Sequence, residues 1–259
     1  MLHSYKFSQA ITRLPSKSVV DGLRAEDIGS PNFEQMLLDH KDYSLALKEA
    51  GAKIIELPPL PGFPDSTFVE DTVLCLSNLA ILMRPGAPSR AGEVSEIEPT
   101  IRELFDNVLS IEDPGFIEAG DILTTEKEVL VGQSARTNEE GIRQLKCLLF
   151  DWNYPVREVF TPKDILHFKT DCSLLDAETI LCTKRLESTG CFSDYNVINT
   201  CEGEEAAANA IRYNDFVIFP KGFPKTLEKL QKAGYLVREV NNTECQKLDG
   251  GMSCLSLRF

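Results

Sequence analysis

The chain has 259 residues, of which 42% are hydrophobic, and carries a formal net charge of −13 at pH 7. This length and composition predict a globular protein of one large domain or two small ones, and no apolar run approaches the roughly 20 residues of a membrane span. The acidic balance argues against a nucleic-acid partner, which requires a basic surface. It is compatible with a small cationic ligand, although solubility alone also explains it.

The cysteines and the N-terminus indicate the compartment. Eight cysteines are scattered along the chain, none in a CxxC pair, so the spacing predicts neither a zinc site nor a compact disulfide framework. Residues 1–15 contain neither a continuous apolar segment nor a small-residue cleavage site, so we expect no secretion signal. A reducing cytoplasm fits these features best, and we expect a cytoplasmic protein.

The predicted elements repeat along the chain. A strand is predicted within residues 6–15, and paired strands around a polar turn at 71–85, 121–133, 171–184 and 209–222. Apolar spacing predicts helices over 32–50, 93–109, 139–149 and 226–233. Short third strands follow the helices at 52–58, 107–113, 154–160 and 234–240. The unit is therefore strand–turn–strand–helix–strand, repeated about five times at roughly 40 to 50 residues.

The two ends of the chain complete the fifth unit. Alternation in residues 252–259, from Met252 through Cys254, predicts a C-terminal strand that pairs with the strand in residues 6–15. Such pairing closes a ring and leaves few exposed sheet edges. We predict an α/β fold, a five-part propeller with helices outside; a mixed α/β sandwich is the alternative.

Acidic residues stand in apolar surroundings at two places. Asp65, Glu70 and Asp71 lie in a predicted loop that leads into a strand, where they could converge on a cation or simply form a solvated turn. Glu118 and Asp121 flank a glycine between apolar residues. Buried acids in such a setting have perturbed pKa values, which makes both candidates for proton transfer.

Two arginines and a cysteine–histidine pair complete the candidate site. Arg90 and Arg136 could each clamp a carboxylate bidentately, although a surface role is the simpler reading of either alone. Cys254 follows two glycines and could be a nucleophile, whereas most cysteines are small buried apolar residues. His167 is one of three histidines, and the only one in a strand-like setting. With Cys254 it supplies a possible general acid/base.

These segments, taken together and in this order, resemble the dimethylarginine dimethylaminohydrolases of the amidinotransferase, or pentein, superfamily. The matching stretches are FVEDT, PGAPSR, FIEAGDIL, GQSARTNEEG, LHFKT and LDGGMSC. The resemblance covers nearly the whole chain and implies a five-bladed α/β propeller, the pentein fold of ββαβ-type units, with residues 1–259 as one catalytic domain. Ala119 replaces a frequent glycine and Phe168 a usual leucine, but neither change removes a functional group.

The resemblance implies hydrolysis of asymmetric dimethyl- or monomethyl-L-arginine to L-citrulline and dimethylamine or methylamine. It gives Cys254 the role of nucleophile on the guanidinium carbon, and His167 that of general acid/base. Glu118 would orient His167 and hold the guanidinium. A thiouronium intermediate would remain for water to attack, and no metal or organic cofactor is needed. We expect the bound cation to favour the Cys254 thiolate, which the surrounding acids disfavour in the free enzyme.

Substrate-binding roles are implied in the same way. The resemblance implies that Asp71, with Glu70 beside it, binds the guanidinium of the substrate. It implies that the α-amino and α-carboxylate groups are bound by Asp65, Arg90 and Arg136. The carbonyls of Leu23 and Leu248 would accept hydrogen bonds from the ammonium. The expected partner is a small cationic amino acid, with no nucleic acid or membrane. The sequence leaves monomer and homodimer open.

Lys169 bears on the choice of substrate. Arginine deiminases of the superfamily have an aspartate at this position, two residues after the histidine, and an acid there would require an N–H that methylated nitrogens lack. Lys169 therefore favours methylarginine. Arginine deiminase or dihydrolase activity on free arginine is the enzymatic alternative. A catalytically silent propeller binding protein and a thiol-based redox protein are alternatives of other classes, which the Cys254–His167–Glu118 set and the lack of CxxC pairs disfavour.

Overall fold

Five three-stranded sheets succeed one another in the computed structural model, which describes residues 4–259. We number them as blades. Blade 1 contains β1 (Gln9–Arg13), β2 (Lys53–Leu57) and β15 (Leu257–Arg258), and blade 2 contains β3 (Val73–Leu76), β4 (Leu79–Leu82) and β5 (Val108–Ser110). Blade 3 contains β6 (Ile122–Thr124), β7 (Val129–Gly132) and β8 (Val156–Val159), and blade 4 contains β9 (Cys172–Leu174), β10 (Thr179–Cys182) and β11 (Asn196–Asn199). Blade 5 contains β12 (Ile211–Tyr213), β13 (Phe216–Pro220) and β14 (Leu236–Val240).

Six α-helices accompany these strands in the part of the chain described. They are α1 (Phe33–Glu49), α2 (Glu93–Leu104), α3 (Glu139–Phe150), α4 (Lys184–Glu187), α5 (Pro224–Lys232) and α6 (Thr243–Gln246). None of them is long and apolar enough to span a membrane. The longest, α1, buries Met36, His40, Tyr43 and Leu47. Spacings of three and four residues place these side chains on one face of the helix, which fixes α1 against the core.

Each blade has the predicted topology. The first two strands pair antiparallel, a helix crosses over, and the last strand pairs parallel to the middle one, as in β3–β4 and β4–β5. In blade 1 the middle strand is β1, which pairs antiparallel with β15 through Ala10 opposite Arg258 and Ile11 opposite Leu257. The two ends of the chain therefore share one sheet and close the five-bladed α/β propeller, so this prediction is confirmed.

The innermost strands, β3, β6, β9, β12 and β15, line a central cavity of about 450 Å³. A short 3₁₀ turn precedes each of them, and we call these five the channel turns: Val69–Thr72, Ala119–Asp121, Phe168–Thr170, Glu205–Ala208 and Ser253–Leu255. The same position of the repeat therefore recurs five times around the axis. Four of the five turns contain or directly follow a residue that the sequence marked as a candidate.

The structure differs from the sequence-based predictions at the C-terminal strand, at the helix predicted over 93–109, and at the crossover helix of blade 4. The predicted strand through Cys254 is a channel turn instead, and only Leu257–Arg258 is extended, because the turn bends the chain toward the axis. The helix predicted over 93–109 ends at Leu104, where the chain becomes extended at Phe105 before β5. Blade 4 was the least evident from sequence, since its crossover helix α4 is a single turn.

Candidate active site

A cavity of about 150 Å³, which we call the catalytic cavity, is lined by Asp71 and Cys254 from two channel turns and by His167, which directly precedes a third. Eight of the predicted site residues line it: Leu23, Asp65, Asp71, Arg90, Arg136, His167, Leu248 and Cys254. Glu118 lies directly behind His167 and is fully buried. The structure therefore brings together residues from four blades that the sequence separates widely, and only Glu70 among the predicted residues turns away.

His167 and Glu118 form the central pair of the site. Nε2 of His167 lies 2.7 Å from Oε2 of Glu118 and 4.0 Å from Oδ1 of Asp71. Burial lowers the pKa of His167, but the carboxylates of Asp71, Glu118 and Asp121 outweigh it and raise the pKa above the ordinary value. The imidazole is therefore held as a cation that donates its Nε2 proton to Glu118.

Glu118 is fixed at its second oxygen as well. Oε1 accepts hydrogen bonds from the Gly86 amide at 3.1 Å and from Nη1 of Arg136 at 3.3 Å. Although burial raises the pKa of Glu118, the bond to His167 and the charges of His167 and the arginines lower it below its usual range. A permanently ionised carboxylate can hold both an imidazolium and a cationic ligand.

Asp71 faces the cavity from the channel turn of blade 2. Oδ1 accepts a hydrogen bond from the Gly120 amide at 3.0 Å, and Oδ2 lies 2.5 Å from Nη1 of Arg90. A Cβ atom at Gly120 would come within 2.8 Å of both Asp71 and His167, so a side chain is excluded there. One ligand atom each from Asp71, Glu118 and His167 lie within 4.8 Å of one another, a cluster able to bind a cation.

The Cys254 thiol also lines the catalytic cavity. The Gly251 amide donates to Sγ at 3.4 Å, the one hydrogen bond that the described residues make to it. Burial, together with the negative charges of Glu70 and Asp71, raises the pKa of Cys254 to about 12. These effects therefore favour the thiol over the thiolate at neutral pH.

The other end of the cavity is polar. Oδ1 of Asp65 accepts a hydrogen bond from the Leu23 amide at 2.9 Å, which holds the 23–25 segment over the cavity. Arg90 is buried and bonded to Glu93 and to the Phe68 carbonyl as well as to Asp71. Arg136 keeps 20% of its side chain exposed at the cavity wall. The roles of these residues and of Leu248 in binding an amino acid remain predictions.

Glu70 and Lys169 lie outside the lining of the catalytic cavity. Glu70 does not line the catalytic cavity: its carboxylate points toward the central cavity, where it meets Ser253, Lys169 and Arg258. Consecutive residues of a tight turn project in different directions, which explains why Asp71 faces the catalytic cavity and Glu70 does not. Lys169 likewise lines the central cavity, where it pairs with Glu70.

Several supporting residues were not identified as such from the sequence. Asp121 accepts hydrogen bonds from Thr137, Ser134 and the Phe168 amide, and so ties the channel turn next to His167 to blade 3. Asn209 accepts the Ser253 amide at 2.9 Å. The apolar neighbours of Asp121 were the signal for its burial, whereas no local pattern marked Asn209.

Known proteins resemble this chain along its full length. No protein-family model matches it. It is 43% identical to the N(G),N(G)-dimethylarginine dimethylaminohydrolase of Pseudomonas aeruginosa, over 98% of this chain and all of that protein. It is 30% identical to the protein of the same name from Streptomyces coelicolor, over 97% of this chain and 96% of that one.

Solved structures also resemble this chain along nearly its full length. A cysteine-to-serine mutant of the Pseudomonas aeruginosa enzyme complexed with citrulline matches with a TM-score of 0.96 at 42% identity, covering 98% of this chain and 100% of that one. The N-terminal domain of ArgZ, an arginine dihydrolase of cyanobacteria, matches with a TM-score of 0.88 at 22% identity, over 96% of each chain. At that identity, the second likeness supports the fold alone.

Proposed function

Because the chain belongs to the dimethylarginine dimethylaminohydrolase family, we propose that it hydrolyses Nω-methylated L-arginine to L-citrulline and methylamine or dimethylamine. The observation that carries the proposal is the placement of Cys254, His167 with Glu118, and Asp71 around one small cavity. It is an amidine hydrolase that uses a cysteine nucleophile.

The carboxylates bind and orient the substrate. Asp71 and Glu118 hold the edges of the guanidinium, so that one face of its plane is presented to Sγ of Cys254. A guanidinium is a poor electrophile because resonance stabilises it, and a fixed approach lowers the entropic cost of attack. Asp65, Arg90 and Arg136, with the carbonyls of Leu23 and Leu248, receive the α-amino and α-carboxylate groups.

Binding also ionises the nucleophile. Burial and nearby carboxylates raise the pKa of Cys254 to about 12 in the free enzyme. The guanidinium neutralises these carboxylates and places a positive charge beside the sulfur, so the thiolate forms when substrate is present.

His167 then moves the protons. The thiolate adds to the guanidinium carbon, the imidazolium of His167 protonates the leaving nitrogen, and the methylated amine departs from a thiouronium joined to Cys254. The neutral imidazole next accepts a proton from water, which attacks the same carbon. The C–S bond then breaks as the hydroxyl of the adduct becomes the carbonyl of citrulline and its proton passes to the sulfur. Citrulline leaves, and Cys254 is again a thiol and His167 an imidazolium.

The compartment and assembly belong to the same proposal. All eight cysteines lie within the described residues and are free thiols, which fits a reducing environment such as the cytoplasm. We expect the protein to act as a monomer or a homodimer.

The test measures citrulline and amine release from dimethylarginine, monomethylarginine and arginine. We expect turnover of the methylated substrates by the wild-type protein, loss of it in Cys254→Ser, and retention in Cys147→Ser, which changes an exposed cysteine. A stable adduct at Cys254, detected by mass spectrometry during turnover, would support the covalent route. Turnover of arginine alone would indicate a deiminase or dihydrolase, and silence on all three would favour the binding-protein alternative.

A further inference from the structure

A buried ionic network lies beneath the catalytic cavity, and Glu70 is its centre. Oγ of Ser253 donates to Oε2 of Glu70 at 2.6 Å. Nζ of Lys169 and Nη2 of Arg258 each lie 2.6 Å from Oε1. Glu70 is only 3% exposed. Charge-assisted hydrogen bonds of this length in a buried setting are among the stronger polar contacts in proteins.

Three members of this network lie within two residues of a residue in the catalytic cavity. Glu70 precedes Asp71 and Ser253 precedes Cys254. Lys169 follows His167 by two positions in the channel turn of blade 4. Three channel turns that carry reactive groups on one side therefore meet on the other side at a single carboxylate.

Ser253 is held from three directions. Its amide donates to Oδ1 of Asn209 at 2.9 Å, its carbonyl accepts from Nη1 of Arg258 at 2.9 Å, and its hydroxyl donates to Glu70. Every polar atom of the residue before the nucleophile is thus bonded to a side chain from elsewhere in the fold. The position of Cys254 depends on these contacts, because a three-residue turn has little hydrogen bonding of its own.

The network also has a net charge. Two cations, Lys169 and Arg258, share the single carboxylate of Glu70, which leaves a positive excess below the thiol. Interactions between charges are stronger in a buried site than in water. Glu70 raises the pKa of Cys254 and Lys169 lowers it, as their signs require.

We propose that Glu70 is a positioning residue: it fixes Cys254 relative to Asp71 and His167, and it offsets part of the positive charge beneath the thiol. This inference rests on the proposed function, but it differs from a role in binding substrate, because the Glu70 carboxylate lines the central cavity and bonds there to Ser253, Lys169 and Arg258. A merely structural ion pair would stabilise the fold without changing the reactivity of Cys254.

Three variants separate geometry from charge. Glu70→Gln keeps the shape and removes the charge, Lys169→Met removes a cation, and Ser253→Ala removes the hydroxyl that joins Cys254 to the network. Glu128→Gln is the matched control, since Glu128 pairs with Arg157 in blade 3 away from the cavity. Each purified full-length variant is first compared with wild type by circular dichroism and thermal unfolding.

Two readouts are measured for each variant. Steady-state kinetics on dimethylarginine gives kcat and KM. Alkylation by iodoacetamide at pH 8, followed by mass spectrometry of the peptide that contains Cys254, reports thiol ionisation without requiring turnover. We expect Glu70→Gln to lower kcat at least about tenfold with KM within about threefold, yet to speed alkylation by roughly tenfold, the effect of one pKa unit.

We expect Lys169→Met to change the alkylation rate in the opposite direction, and Ser253→Ala to change kcat alone. Lys169→Met should slow alkylation roughly tenfold, and Ser253→Ala should lower kcat while it changes alkylation less than about twofold, because no charge is altered. Glu128→Gln should match wild type in both readouts. If Glu70→Gln fails to fold, Lys169→Met and Ser253→Ala carry the test.

Defined results would overturn the inference. An increase in KM that exceeds the loss of kcat in Glu70→Gln would make Glu70 a substrate ligand. Unchanged alkylation in both charge variants would leave the network purely structural. Failure of the proposed function is seen separately: wild-type protein would release no citrulline, whereas the alkylation rates would still rank the variants.

Discussion

Nε2 of His167 and Oε2 of Glu118 lie 2.7 Å apart, although the two residues are separated by 49 positions in the sequence. Each precedes a channel turn, His167 in blade 4 and Glu118 in blade 3, at equivalent points of the repeat. The propeller therefore joins an acid to a base by placing the same position of two adjacent blades side by side at the axis. The two groups depend on each other, because Glu118 contributes with Asp71 and Asp121 to the raised pKa of His167, and His167 lowers the pKa of Glu118.

The first prediction tests this dependence. Replacing Glu118 by glutamine removes the negative charge that faces the imidazolium, so the raised pKa of His167 should fall toward its ordinary value. We expect kcat to decrease by roughly 10²- to 10⁴-fold, the usual contribution of a positioned general acid/base. The His167 pKa is followed by NMR titration of its ring protons, and kcat by citrulline release.

A surface carboxylate provides the control. Glu158 pairs with Lys146 on the protein surface, and Glu158→Gln should alter neither kcat nor the titration of His167. A Glu118→Gln enzyme with the wild-type His167 titration would mean that Asp71 and Asp121 alone maintain the imidazolium.

The second prediction concerns the space around Gly120. A Cβ atom here would lie 2.8 Å from Oδ1 of Asp71 and from Cγ of His167. Gly120→Ala should therefore displace both groups and lower kcat by about 10²-fold, the effect of a misplacement near 1 Å. Gly62→Ala is the control, because nothing lies within 4 Å of its added Cβ. Wild-type kinetics in Gly120→Ala would show that the channel turn of blade 3 can shift without cost.

The third prediction separates the two arginines. Arg136 is partly exposed at the cavity wall, so Arg136→Ala should raise KM by roughly 10- to 100-fold, the effect of losing one charge-assisted contact or two, with little change in Tm. Arg90 is buried between Asp71 and Glu93, and Arg90→Ala leaves both carboxylates unpaired. We expect that change to cost about 3–5 kcal/mol of unfolding free energy as well as activity.

Kinetics and thermal unfolding are measured together on both arginine variants. A lower kcat with unchanged KM in Arg136→Ala would assign Arg136 to the guanidinium end, through its contact with Glu118. An Arg90→Ala protein with the Tm of wild type would contradict the structural importance of the buried pairs.

The repeat made the architecture predictable from sequence. Polar turns between alternating strands marked the hairpins, and the apolar patterns in residues 6–15 and 252–259 predicted the closure that Ile11 opposite Leu257 provides. The site was predictable to the extent that its residues are chemically unusual: a cysteine after two glycines, and acids between apolar residues.

Side-chain direction within the channel turns was not predictable. Glu70 and Asp71 are adjacent carboxylates of similar chemistry, and only the backbone of the turn decides which one faces the catalytic cavity. The alternating rule for strands also failed at Cys254, because a three-residue turn imposes no period of two.

The last prediction concerns His40, which the sequence placed in a polar helix. His40 is only 3% exposed in α1, and neither ring nitrogen has a hydrogen-bond partner among the described residues, so burial lowers its pKa from 6.5 to about 4. Between these values the unfolded chain binds a proton that the folded protein does not. Stability contributed by neutral His40 is therefore present above pH 6.5 and is lost as pH falls toward 4.

The expected loss from His40 alone is about 3 kcal/mol at pH 4. The measurement is the unfolding free energy from urea titrations at pH 7, 5.5 and 4, for wild type and His40→Leu. The variant should lose less stability on acidification than wild type does, so the difference between the two proteins depends on pH. Leu45→Ala, at an exposed position of the same helix, should show a constant offset at every pH. A constant offset in His40→Leu as well would mean that His40 becomes protonated without unfolding, through access of water to α1.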